Sequence, residues 1–153
     1  MSRYHRRFRN PHRKAVDATR LLIRGWTASS DDAKWEKSRQ WLKTVSQVYR
    51  VETPKLFKQE RGVGIGCYYP ASNAIHMPYP SIVTLLHEFR HAYQHSHPSR
   101  MPQDIEDDAR AWSLSLYYRV APRTVRRLAA EGRILYLDDS FPLVRSGQGE
   151  QTG

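Results

Sequence analysis

The segment His87-Glu88-Phe89-Arg90-His91 constrains this chain more than any other. Two imidazoles four residues apart on a helix are separated by about 6 Å of rise and slightly more than one full turn, so both leave the same face and can grip one cation. Glu88, three residues before His91, flanks that face. Beside a zinc ion that polarises a carbonyl, such a carboxylate can take a proton from water and pass it to a leaving amine. The surrounding residues fit a helix. Ser81 is placed as an N-cap, and Ile82, Leu85, Leu86, Phe89, Ala92 and Tyr93 draw an apolar stripe at helical spacing. Thr84, His87, Glu88, His91 and His95 form the opposite stripe. A polar face this rich in histidine predicts a helix turned toward a metal cleft; the plainer alternative is a solvated helix surface.

Hydrolytic zinc sites usually take three protein ligands, so one further donor must come from elsewhere. His95 lies about 12 Å along the helix from His87, too far for metal bonds of about 2 Å, and is read as a cleft-edge residue. His97 stands ten residues after His87, the offset of the third histidine in metzincin proteases. Gln94, however, occupies the place of the glycine that lets the backbone reverse there. Glu106 is preferred. Asp104, after the Pro102 break, caps a second helix through Leu116, with Ile105, Ala109, Trp112 and Leu116 as its packing face. Glu106, Ala109 and Ser113 run beside that face, and the two small residues allow a close approach to the first helix. Asp107 and Asp108 are the remaining alternatives; they can instead complement the helix dipole or orient a ligand histidine from behind.

His87-Glu88-x-x-His91 followed by Glu106-x-x-Ala109 on a later helix resembles the gluzincin arrangement, in the reduced form of small phage and mobile-element metallopeptidases. Asn73-Ala74-Ile75-His76-Met77 resembles the short strand that precedes the metal helix in such proteins. The resemblance runs from about Gly66 to Leu116 and implies a zinc metallopeptidase holding Zn2+ through His87, His91 and Glu106, with Glu88 as general base. In one respect the chain departs from the pattern: many gluzincins carry an aspartate four residues after the ligand glutamate, where this chain has Arg110.

At 153 residues with no internal repeat, the chain suits one domain and excludes a large multidomain protease. The expected fold class is α+β: a minimal zincin-like domain, with a small twisted sheet on the active-site helix and helices at both ends. No stretch has the apolar length of a membrane span and the start lacks a secretion-signal block, so an intracellular, cytoplasmic monomer is expected. Cys67 is the only cysteine, which excludes an intramolecular disulfide, and it is read as a small packing residue in or beside a strand.

The net charge of +10 is unevenly placed. Arg3, Arg6, Arg7, Arg9, Arg13 and Lys14 all precede the first acid, Asp17, with aromatics interleaved. Residues 1–14 are read as a basic flexible arm that can bind nucleic acid by displacing counterions; a solvated tail or a transit peptide has the same composition. Residues 15–144 form the expected metallopeptidase domain and 145–153 a disordered tail.

A first helix is expected after Asn10-Pro11, and a second from Ser30 or Asp31 with Trp35, Trp41, Leu42, Val45, Val48 and Tyr49 inward, ended by Pro54. Short strands are expected at 55–60, 67–69 and 74–77, with a turn over 70–73 between the last two. The glycine-punctuated stretch 61–66 lacks the lysine-serine ending of a phosphate loop. Pro122 opens a further helix to about Glu131, and 133–137 reads as a strand or docked segment. An exposed sheet edge is where an extended peptide substrate can pair. Two functions follow: a zinc-dependent endopeptidase, or a nucleic-acid-associated protein whose zincin-like domain is structural or inactive. Tyr117, Tyr93, His95 and Arg110 are candidate oxyanion donors.

Overall fold

The computed structural model describes residues 11–59 and 66–133. Within them the chain is α+β, in the order α1 (Arg13–Ile23), α2 (Asp31–Tyr49), β1 (Lys55–Lys58), β2 (Cys67–Tyr69), β3 (Ala74–Met77), α3 (Ile82–Ser96), a 3-10 turn (Pro98–Arg100), α4 (Ile105–Val120) and α5 (Pro122–Ala130). None of the described helices is long and apolar enough to cross a membrane. Most of the basic arm, the stretch 134–137 and the tail 145–153 lie outside the described residues. Arg13 and Lys14, placed in the arm by composition, instead open α1, because His12 caps it by accepting from the Lys14 N–H.

Caps and apolar spacing set the helices. Ser30 accepts from the Ala33 N–H at the start of α2, and Asp31 and Asp32 complement the dipole of its first turn. Its end comes before Pro54: Arg50 takes the left-handed conformation at φ 56° and closes the helix there. Val16, Thr19 and Leu22 of α1 face Trp41, Leu42 and Val45 of α2, and the Trp41 indole donates to Thr19 Oγ1 at 2.9 Å. Trp41 then meets Phe89 edge-on with ring centroids 5.4 Å apart, which seats α3 on the α1–α2 pair. Leu85, Leu86 and Phe89 are fully buried; burial of each contributes roughly 2 kcal/mol.

The sheet has β3 at its centre, parallel to β1 and antiparallel to β2, with Ile75 opposite both Leu56 and Tyr68. These three residues are buried, as is Met77. The β2–β3 turn holds Asn73 at φ 48°, where its side chain accepts from the Tyr68 hydroxyl at 2.8 Å. α3 packs most extensively against α4, which is buried nearly all round from Ala109 to Tyr117 because α1 and α5 cover its other sides. A single packing face on that helix, as its apolar spacing implied, is too narrow a description.

Gly66 brings β2 up to the start of α3. It sits at φ 143°, and a Cβ there would lie 2.6 Å from the Thr84 methyl and 3.1 Å from the His76 carbonyl oxygen. Strain of this kind costs on the order of 1–3 kcal/mol. Gly66→Ala is therefore expected to lower unfolding stability by about 2 kcal/mol in urea titrations; an unchanged midpoint would show that the strand can retreat from α3 freely.

Candidate metal centre

Ser81 Oγ accepts from the Thr84 N–H and starts α3, whose apolar stripe is locked in the core. The opposite stripe is thereby fixed beneath β2 and the first turn of α4. Glu88 and His91 are buried although polar, and His87 is only 12% exposed at its side chain. The middle of the polar stripe is thus recessed rather than solvated, which excludes an open helix surface at His87, Glu88 and His91.

The imidazoles converge. His91 Nε2 lies 3.2 Å from His87 Nε2, and ligating atoms of His87, Glu88 and His91 fall within 4.8 Å of one another. The Glu106 carboxylate reaches across from α4, with Oε1 2.8 Å from His91 Nε2 and Oε2 3.3 Å from His87 Nε2. Donors bound at about 2 Å in a tetrahedron stand about 3.3 Å apart, so two nitrogens and one carboxylate have the mutual spacing of a zinc ligand set. Two imidazole nitrogens and a carboxylate come this close only with a proton or a cation among them.

Glu88 is held differently. The Tyr68 N–H of β2 donates to its carboxylate, leaving Glu88 beside the cluster while Glu106 closes it. Burial pushes the Glu88 carboxyl up to about 7; the neighbouring His91 and the Tyr68 bond oppose this, and Glu106 reinforces it. Burial also pushes His87 down to about 4, helped by His91 and Arg110 and opposed by Glu106. At neutral pH its ring is therefore neutral and keeps a lone pair to offer.

The other candidates sit elsewhere. His97 terminates α3, its ring 4.5 Å from that of Tyr93 and its Nδ1 3.0 Å from the Tyr93 carbonyl oxygen. Asp108 is turned to Arg90, with contacts of 2.8 and 3.3 Å. His95 lies at the cleft edge against Tyr68, as its position on the helix implied. Cys67 differs from expectation: it is exposed and lines the cleft. Partial burial, then Glu88 and Glu106, push its thiol upward, away from the thiolate a metal would need.

No protein-family profile, curated protein or solved structure matches this chain. The chemistry of the site is therefore argued from its own atoms.

Gln94 is the residue that sequence reasoning passed over. Its side chain is buried, and its Nε2 donates to both Asp108 Oδ2 and the Ile105 carbonyl oxygen at 2.9 Å. Both partners can only accept, so the NH2 group must face them and Oε1 must face His91, 2.8 Å from Nδ1. His91 then has to donate from Nδ1, which in the neutral ring leaves the Nε2 lone pair pointing at the cluster. An acid four residues after Glu106 would serve the same end in the gluzincin pattern. Here Asp108, anchored by Arg90, acts through the amide of Gln94. Gln94→Leu removes that acceptor and is expected to weaken zinc binding about 10–100-fold in competition with a chromophoric chelator. Gln94→Glu, which retains an acceptor for Nδ1, should fall between the two; equal affinity in all three proteins would dissociate Gln94 from the metal.

The cluster opens into a cleft of about 790 Å3, walled on one side by Gly66, Cys67 and Tyr68 and on the other by Arg110 and Tyr117. Of the four oxyanion candidates, His95, Arg110 and Tyr117 line it. Tyr93 is engaged outside it, with the Arg90 guanidinium 4.4 Å above its ring.

Proposed function

We propose that this protein is a zinc-dependent endopeptidase of gluzincin type, in which His87, His91 and Glu106 hold the metal and Glu88 is the general base. The observation that carries the reading is the triangle of His87 Nε2, His91 Nε2 and the Glu106 carboxylate, with sides of 2.8 to 3.3 Å, set beside a buried carboxylate in an open cleft. Zinc at such a site supplies Lewis acidity toward a carbonyl and makes water more acidic.

The chain's own groups account for the remaining requirements. A carboxyl group held near neutrality by burial can accept a proton at pH 7 and return it, which a fully exposed glutamate does less readily. The Tyr68 N–H fixes one Glu88 oxygen, so the proton is carried on the carboxylate side turned to the cleft. Gln94 keeps His91 in the tautomer that offers Nε2. Arg110, Tyr117 and His95 are the cleft-lining side chains whose chemistry suits an oxyanion donor, and β2 brings a strand edge to the cleft along which an extended backbone can lie.

The test is metal content together with hydrolysis of an unfolded protein such as casein. One zinc per chain is expected, with cleavage lost after chelation and restored by added zinc. Purified protein that takes up no divalent cation at this site, or that binds zinc without cleaving peptide bonds, would remove the reading.

A further inference from the structure

The charge lining the cleft is one-sided. Among the described residues, the acids that line it are Glu88 and Glu106, both at the cluster, whereas Arg110, Arg127 and Arg133 line the arm that leads away along α4. Arg110 follows Glu106 by one helical turn, about 6 Å, and Tyr117 lies about 16 Å from it by the helical rise. The Arg127 and Arg133 guanidiniums gather at the Tyr117 end: burial raises the Tyr117 phenol, and these two cations pull it back. Glu131 sits 3.9 Å from Arg127 and 3.7 Å from Arg133. Among the described residues, one carboxylate shared by two guanidiniums leaves net positive charge there.

An extended peptide advances about 3.3 Å per residue, so this arm accompanies about five residues on one side of the bond placed at Glu88. From this charge distribution we propose that the cleft selects acidic peptides, with carboxylate side chains about five residues from the scissile bond facing Arg127 and Arg133. The proposal rests on the peptidase reading for its scissile bond, but charge selection can be measured without cleavage.

The probes are end-capped fluorescent decapeptides alternating alanine with glutamate, glutamine or lysine, titrated by anisotropy into the Glu88→Gln protein at low salt. The glutamate peptide is expected to bind about tenfold more tightly than the glutamine peptide, and the lysine peptide least. Adding R127E and R133E, both exposed, should cancel or reverse that order. A control with R39E and K43E, on the exposed face of α2, lowers the net charge equally and should preserve it. Equal binding of the three peptides overturns the proposal, as does a preference lost equally in both charge-reversed proteins. An uncapped alanine peptide that matches the glutamate peptide overturns it in favour of a terminal carboxylate, and a single-stranded oligonucleotide that binds this arm more tightly overturns it in favour of nucleic acid. Protein that binds no zinc yet keeps the acidic preference fails the peptidase reading alone; zinc-bound, cleaving protein without the preference fails this proposal alone.

Discussion

Glu88→Gln is expected to keep the one zinc per chain that the proposed function requires of the wild type, and to hydrolyse peptides about 10²- to 10⁴-fold more slowly, the range a positioned general base contributes. The amide has nearly the same shape as the carboxylate. It can still accept from the Tyr68 N–H, and it removes a buried group whose ionised form burial disfavours. What it cannot do is carry a proton between water and the leaving amine. Folding and metal content should therefore survive while turnover does not, a pattern that separates a chemical role for Glu88 from a structural one. A quenched fluorescent substrate gives the rate and atomic absorption the metal; wild-type turnover in this variant would end the mechanism.

Glu106→Ala is expected to reduce zinc affinity by more than about 100-fold, since changes one layer further from a metal already cost 10–100-fold. The fold should be little affected, because the Glu106 side chain is half exposed and contributes little to the core. The same measurement on His97→Ala should match the wild type, as that ring is packed on Tyr93. Competition titration against a calibrated chelator, with circular dichroism of the metal-free proteins, checks both. The opposite ranking, with His97 needed and Glu106 dispensable, would assign the metzincin arrangement instead.

The features legible in the sequence are those with a local cause. Ser81 and Asp104 accept from N–H groups three residues on, and those caps fixed the starts of α3 and α4 within the chain itself. The histidine stripe was readable because its apolar opposite could be counted at helical spacing, and Glu106 because Ala109 and Ser113 are small enough to bring α4 close. What escaped is what depends on residues distant in sequence. Gln94 registered only as a missing glycine, since its value lies in Asp108 and the Ile105 carbonyl across an intervening connection. The burial of α4 on several sides was hidden for the same reason: α1 and α5 cover it, and neither leaves a mark on its own periodicity. The burial of Asp108 likewise needed Arg90, eighteen positions earlier, to make sense.

The pin between Gln94 and Ile105 also bears on how the protein is assembled. It staples the end of one helix to the beginning of the next, and every proposed ligand lies within the span 87–106. Closing so short a segment costs little chain entropy, and contacts between near neighbours in sequence form early. The helical hairpin is thus the expected first-formed piece of the molecule, and it would bring the three proposed ligands together while the strands are still searching for their partners.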